Sequence, residues 1–376
     1  MVRHPDDFDE IEQIIEPDGS YDEAAVAELA LDEETLRSMY ETMIRSRALE
    51  ERGMILQRQG ALHFWEECRG EEASHAGPAA ALAENDWIQT DWRQFGLHLQ
   101  RGRTMEDILL FWLRGYEVWD EAEFGEDGPP PELRRLPHTV AVGTTVPQAV
   151  GHAWGRKYQG TDDVTLIQFG DGAASKGDVH EGMNFAGVMD LPAVFLLENN
   201  QWAISVPLEK QIGAESYAQR AAGYGFEGAL VDGNDVLATY RATERAVERA
   251  RSENEPTLIE LLTYRRGAHS TSDDPSLYRD EAEVETWEEL DPVDRYETFL
   301  EDRGLWTEAY AEETWEAAEA EAREAAESAI ETAEEQTPAE VFDEVYANPP
   351  AEIEAQHREL ERFREEFGDE IFHDGQ

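Results

Sequence analysis

A chain of 376 residues is long enough for one large core or two domains. Its 31 basic and 85 acidic residues leave a formal charge of −54, which disfavours nucleic acid and anionic membranes as partners. Charge of that size suggests disorder, but 10 tryptophans and 14 phenylalanines argue for a packed fold.

Residues 1–32 are polar and acidic and read as an extension, or as an arm draped over a partner. From Glu33 onward, Leu36, Met39, Tyr40, Met43 and Ile44 recur at helical spacing and predict a long amphipathic helix. The stretch from Glu123 to Leu136, with Gly125, Gly128 and a run of prolines, reads as a surface excursion. After the Gly143-Thr144-Thr145 turn, Val146, Ala149, Val150, Ala153 and Trp154 predict a buried helix. The run from Val164 to Phe169 and that from Ala193 to Leu197 are short, apolar and β-prone, so each predicts a buried strand. Between them Val179, Met183, Phe185, Ala186 and Val188 roughly follow a helix packed on one face. The Asp232-Gly233-Asn234-Asp235 turn leads into a helix to about Asn254 and a strand from Thr257 to Tyr264. Residues 266–282 form a loop dense in Ser, Thr, Asp and Gly. From about Pro292 the chain is helical, rich in Glu and Ala and sparse in apolar positions, so it should pack lightly on the core or on another subunit. The fold class is α/β, a mainly parallel sheet flanked by helices. Its divisions are an extension (1–32), the α/β domain (33–290) and a helical C-terminal region (291–376).

The βαβ unit carries the most informative residues. Gly170-Asp171-Gly172 closes its first strand and Asn199-Asn200 its second. Asp171 and Asn200 thus fall just past the carboxyl ends of neighbouring strands, where open α/β sheets bind ligands. The flanking glycines allow close backbone approach. An aspartate and an asparagine are hard oxygen donors of the kind Mg²⁺ takes alongside phosphates. A diphosphate carried by that Mg²⁺ would lie near a helix amino end. The plain alternative is a tight strand-to-helix turn with no ligand; two motifs, each closing an apolar strand, weigh against it.

The stretch GDGAASKGDVHEGMNFAGVMDLPAVFLLENN resembles the thiamine diphosphate motif. From about residue 40 to 370 the chain is similar to the α subunit of the E1 component of 2-oxoacid dehydrogenase complexes. The resemblance is carried by GEEASHAG, DWIQTDWRQFG, VGTTVPQAVGHA, VDGND, PTLIELLTYRRGAHSTSDDPSLYR and DPVDRYETFLEDRGLW. It implies the thiamine diphosphate-binding fold, with Mg²⁺ held by Asp171, Asn200 and the backbone carbonyl of Trp202. It implies further cofactor contacts at Trp92, Arg93, Val142, Gly170, Gly172, Ala173, Arg265 and His269. Trp92-Arg93 stands where the family carries Tyr-Arg, so the guanidinium is kept for phosphate and a phenol is lost. Val142 matches the apolar residue that props the bent cofactor; core packing is its plain alternative. Glu198 replaces an arginine that meets the diphosphate in some members, and the role of Lys176 is open.

His269 lies on the Ser/Thr-rich loop, and imidazole can give or take protons near neutrality. Most loop histidines are inert, but the resemblance places this one beside the thiazolium, assisting acyl transfer to lipoamide. His138 has a weaker case, and His180 reads as a helix residue. Ser270 and Ser272 fall in a loop phosphorylated in mitochondrial relatives and are read here as loop-capping hydroxyls. Asp273, Asp274, Tyr278 and Arg279 fit the same ordered loop. Phe64, Trp65 and Trp92 are candidates for an acyl pocket that would disfavour long chains.

The resemblance further implies oxidative decarboxylation of a 2-oxoacid, with the acyl group passed to a lipoyl-bearing E2. The glutamate that starts the chemistry belongs to an E1 β subunit, so the expected assembly is an α₂β₂ heterotetramer and the α chain alone is inactive. Acetoin dehydrogenase, or a non-catalytic scaffold that only binds a partner, are the alternatives. LLENNQWAISVP and DPVDRYETFLEDRGLW look like bacterial pyruvate or acetoin forms, and HSTSDDPSLYR like the branched-chain form. With Lys157, Lys176 and Lys210 its only lysines, the acidic composition fits a halophile, where concentrated salt screens carboxylate repulsion. Cys68, the single cysteine, allows no internal disulfide, and no signal or membrane-length run is visible, so a soluble cytoplasmic protein is expected.

Overall fold

Among the residues described (3–8, 10–114, 129–334, 342, 346 and 348–368), a computed structural model contains these strands. They are β1 (Trp87–Gln89), β2 (Thr165–Gly170), β3 (Ala193–Asn199), β4 (Trp202–Ala203), β5 (Val206–Pro207), β6 (Glu227–Asp232) and β7 (Thr257–Leu262). All but β4 and β5 form one parallel sheet in the order β1-β2-β3-β7-β6. β4 and β5 make a small antiparallel hairpin. Side chains alternate across the sheet: Leu166, Val194, Leu196 and Ile259 enter one core, Ile167, Phe169, Phe195 and Leu258 the other. Helices cover both faces, which is why these strands read as continuous apolar runs.

The helices in chain order are α1 (Glu23–Leu29), α2 (Glu33–Arg58), α3 (Glu72–Ala80), α4 (Phe95–Gln100), α5 (Met105–Arg114), α6 (Val146–Gln159) and α7 (Gly177–Met189). They continue with α8 (Ala221–Tyr224), α9 (Val236–Glu253), α10 (Glu281–Glu288), α11 (Pro292–Asp302), α12 (Glu308–Glu334) and α13 (Ala351–Phe367). The helix expected from Glu33 is α2: Asp32 caps it by accepting from Thr35 N at 2.8 Å, and Leu36, Met39, Tyr40, Met43 and Ile44 are all buried. Together with α3 and α9 it covers the first face of the sheet, while α6 and α7 cover the second. No helix among the described residues is long and apolar enough to cross a membrane.

Several expectations need correction. Trp154, Phe185 and Val188 are exposed, the first two resting edge-on against each other at 5.4 Å. Trp154 and Phe185 lie roughly a quarter to a third of a turn round their helices from the buried sets Val146, Ala149, Val150 and Ala153, or Val179, Met183 and Ala186, and Val188 lies nearly opposite. α12 does not pack lightly. Ala318, Ala322, Ala325, Ala326 and Ala329 are buried on one face, and this alanine stripe brings the helix close against α2 and α5. Residues 123–128 of the expected excursion lie outside the described residues; Arg135, near its end, pairs with Ile88 along the edge of β1.

One buried junction ties the helical region to the α/β core. Arg47 of α2 donates to Glu72 of α3 at 2.7 Å and to both oxygens of Asp291 at 2.7 and 2.8 Å. Arg266 adds a bond to Asp291 at 2.6 Å, and Asp291 also caps α11 through Val293 N. Burial pushes the Asp291 carboxyl up, but the guanidiniums of Arg47 and Arg266 outweigh it and hold it down to about 2. The folded chain therefore resists protonation there, and about 2 kcal/mol of stability present above pH 3.8 is lost as the pH falls towards 2. Asp291→Ala leaves Arg47 with Glu72 alone and takes from Arg266 its carboxylate partner, and should cost about 3 kcal/mol at neutral pH. Thermal denaturation checks this, and an unchanged midpoint would show that the arginines find other partners.

Candidate active site

Parallel register brings the strand ends level. Gly170 lies opposite Glu198, and Asn199 opposite Leu262. The ladder runs one step further on each side, with Asp171 N donating to Glu198 O at 3.1 Å and Arg265 N to Asn200 O at 3.2 Å. Asp171, Asn200 and Arg265 thus emerge at one carboxyl edge of the sheet. The β4–β5 hairpin folds back over this edge, and a Cβ on Gly172 would stand 3.0 Å from the Ala203 Cβ. Glycine is what lets the hairpin approach the Gly-Asp-Gly turn so closely.

Here the chain encloses a cavity of about 560 Å³. Trp92, Arg93, Val142, Gly170, Asp171, Gly172, Ala173, Asn200, Trp202 and His269 all line it. Arg265 does not; it lies behind the wall, donating to the carbonyls of Trp202 (3.3 Å) and Ile204 (2.8 Å) and to the Tyr278 hydroxyl (2.9 Å). Asp171 is almost fully buried and takes a bond from Gln211 Nε2 at 2.8 Å. Burial pushes its carboxyl up to about 6, against the opposing pull of Gln211 and Arg265. Asn200 donates to Glu71 at 2.7 Å and accepts from Trp202 N at 3.3 Å. Val142 is carried on a turn whose Gly143 has φ +75 and whose Gly143 N–H points to Asp91 at 3.5 Å. The Trp92 indole, in place of a phenol, donates to the Thr139 carbonyl at 3.1 Å.

Arg93 and His269 meet. Arg93 Nη2 lies 3.1 Å from His269 Nδ1 and 3.1 Å from its carbonyl oxygen, and Nη1 donates to the Glu67 carbonyl. Accepting from Arg93 leaves the imidazole proton on Nε2. Burial, then the charges of Arg93 and Arg265, hold His269 down to about 4 despite Asp273, so it is neutral at neutral pH. Its loop is tied down: Asp273 accepts from His269 N (2.8 Å) and from the Tyr278 hydroxyl (2.5 Å). Asp274 caps the short turn at Ser276, and Arg279 donates to the carbonyls of Arg265 and Arg266. The Ser270 hydroxyl accepts from Ser272 N at 3.3 Å. Lys176 is exposed at the start of α7, and His180 on α7 bonds the Tyr224 hydroxyl.

Sequence reasoning missed the polar layer behind the cavity. Glu198 faces inward to His75 at 3.0 Å and accepts from Gln94 (3.1 Å) and Gln168 (3.2 Å). Burial pushes Glu198 up, but His75 outweighs it and holds it below the usual carboxylate range. Glu71 goes the other way, held well above that range by burial and by the charge on Glu198. Of the two glutamates, Glu71 is therefore the one that holds a proton more readily. Glu71 and His75 stand four residues apart at the start of α3, a spacing that places both on one helix face and could have flagged them. The expected acyl-pocket aromatics divide. Phe64 and Trp92 are on the wall, whereas Trp65 is fully buried, stacked on Phe95 at 4.9 Å, and Trp112 takes the wall position instead.

A family model described as dehydrogenase E1 component matches residues 40–341. Over 349 residues the chain is 41% identical to the 3-methyl-2-oxobutanoate dehydrogenase subunit alpha of Mycobacterium tuberculosis, covering 93% of this chain and 92% of the relative. It is 37% identical over 350 residues to the pyruvate dehydrogenase E1 component subunit alpha of Staphylococcus epidermidis, with 93% and 92% covered. The 2-oxoisovalerate dehydrogenase subunit alpha of Bacillus subtilis is 37% identical over 325 residues, with 85% and 97% covered.

Proposed function

The chain belongs to the dehydrogenase E1 component family, and we propose that it is the α subunit of a thiamine diphosphate-dependent 2-oxoacid dehydrogenase. Its substrates are pyruvate, branched-chain 2-oxoacids or both, and the acyl product passes to the lipoyl group of an E2 acyltransferase. The observation that carries this reading is the single cavity in which Asp171, Asn200, Trp202, Arg93 and His269 converge.

The residues fit the cofactor. The Asp171 carboxylate, the Asn200 amide oxygen and the Trp202 carbonyl would hold Mg²⁺, a hard-oxygen set. Burial that disfavours an ionised Asp171 in the ligand-free chain is relieved by a cation. Arg93 would grip the diphosphate, with Arg265 adding positive potential from behind the wall. The backbone of Gly170, Gly172 and Ala173 would border the diphosphate, and Val142 and Trp92 would flank the rings. When bound, thiamine diphosphate supplies the electron sink for loss of CO₂ from a 2-oxoacid. His269, neutral and with its proton on Nε2, would move a proton during acyl transfer.

Of the carboxylates of this chain that line the cavity, Glu198 is engaged by His75, Glu66 by Arg93 at 3.6 Å and Asp91 by the Gly143 N–H at 3.5 Å, while Asp171 is assigned to the metal. That supports a β subunit as the source of the glutamate facing the cofactor, and an α₂β₂ assembly. The fully buried Cys68 supports a reducing, cytoplasmic setting.

A panel of 2-oxoacids with an artificial electron acceptor tests the reading. The isolated chain should turn over none of them, and the chain assembled with its β subunit should oxidise pyruvate, a branched-chain 2-oxoacid or both. Turnover by the isolated chain would refute the division of labour, and silence of the assembled enzyme on the whole panel would refute the function.

A further inference from the structure

Gln201 sits between Asn200 and Trp202, two of the groups assigned above to the metal. It is almost fully buried and its φ is +70, a conformation that residues with side chains seldom hold unless their surroundings fix it. Its surroundings do so with hydrogen bonds from a distant segment. Gln201 Oε1 accepts from Arg3 N at 2.6 Å, and Gln201 Nε2 donates to Arg3 O at 2.9 Å and to Thr263 O at 3.1 Å.

The segment that supplies Arg3 is itself anchored to the sheet. Glu12 pairs in parallel with Val231 on the edge of β6, with bonds from Glu12 N to Leu230 O and from Asp232 N to Glu12 O. Asp235 accepts from Ile14 N (2.5 Å) and Ile15 N (2.7 Å), and both isoleucines are buried in the core. Between anchor and clamp, Phe8 and Ile11 pack on the cluster that contains Trp202, Tyr264 and Trp287. The Arg3 guanidinium adds one bond, to the Ala214 carbonyl at 3.1 Å.

We propose that residues 3–8 and 10–15 act as a strap that holds Gln201, and through it the turn from Asn200 to Trp202, in the geometry that accepts the metal and diphosphate. The proposal rests on the metal reading of Asp171, Asn200 and Trp202. Gln201 is a positioning residue: its side chain serves the turn and touches no reacting atom. The clamp is made by the main chain of Arg3, so the identity of that side chain matters little and its N–H matters much.

Proline at position 3 removes that N–H, whereas alanine keeps it. In the full-length chain, Arg3→Pro and Gln201→Ala should speed backbone hydrogen exchange across residues 199–204, and Arg3→Ala should leave it as in the wild type. In the chain assembled with its β subunit, the first two variants should weaken Mn²⁺ binding in the presence of thiamine diphosphate about tenfold, as expected if the competent turn is populated about one-tenth of the time. Their metal requirement should rise while kcat at saturating metal stays close to wild type. Equal exchange and equal Mn²⁺ affinity in Arg3→Pro and Arg3→Ala would overturn the strap, as would faster exchange with unchanged Mn²⁺ affinity. Asp171→Asn separates the two readings. If it leaves Mn²⁺ binding intact, the metal assignment fails, and the exchange comparison alone then decides whether the strap holds the turn.

Discussion

Asp171→Ala in the assembled α/β enzyme should abolish Mg²⁺-dependent binding of thiamine diphosphate, with calorimetry showing at least about a hundredfold loss of affinity. Removing a group that merely supports a metal ligand costs roughly 10–100-fold, and here a proposed ligand itself is removed. Stability should move the other way. A carboxyl raised by burial from 3.8 to about 6 holds its proton more readily in the folded chain than in the unfolded one. The ligand-free protein therefore loses stability as the pH rises through that window, and an ionised Asp171 costs it about 3 kcal/mol at neutral pH. The alanine variant should melt no lower than wild type while failing to bind. Unchanged affinity would remove Asp171 from the metal site; a lower melting point would show that its burial serves the fold instead.

His269→Ala should lower turnover by about 10²–10⁴-fold, the range for a lost proton-transfer group, with cofactor affinity within about threefold of wild type. His269→Asn sharpens the result, because an asparagine amide can occupy the place of Nδ1 and keep the contact with Arg93. If the imidazole moves protons, the asparagine enzyme is as slow as the alanine one; recovery of activity would reduce His269 to a prop for Arg93. The acid side of the profile adds a second reading. Burial and the two arginines keep His269 neutral down to about pH 4, so no activity step near 6.5 should trace to it. An unfolded histidine takes its proton near 6.5 and the folded one only near 4, so acidification through that window favours the unfolded chain.

The βαβ unit was legible because three independent signals coincided on it: apolar runs of strand length, a helical period between them, and turn residues at both strand ends. The cavity wall was legible wherever a motif named a residue. What escaped were contacts without a one-dimensional signature. Glu198 and His75 are polar residues that composition assigns to the surface, and only the fold, which brings α3 to the carboxyl end of β3, reveals them as a buried pair. Trp65 and Trp112 look alike in sequence, and the packing of α5 decides which of them faces the cavity. The stripe on α12 went unread because alanine carries little apolar signal while permitting close helix packing. The clamp on Gln201 joins residues 198 positions apart through main-chain atoms, which no side-chain pattern records.

Glu71 and Glu72 are neighbours in the chain and identical in chemistry, yet they serve opposite directions. Glu71 reaches Asn200 at the cavity, and Glu72 reaches Arg47 and the buried junction with α11. One residue of helix turns a side chain by about 100°, so the two cannot exchange places. An alignment slipped by one position would still match glutamate to glutamate while crossing the two roles. A relative that keeps only one glutamate here has to be read by which of the two partners, the asparagine or the arginine, it also keeps.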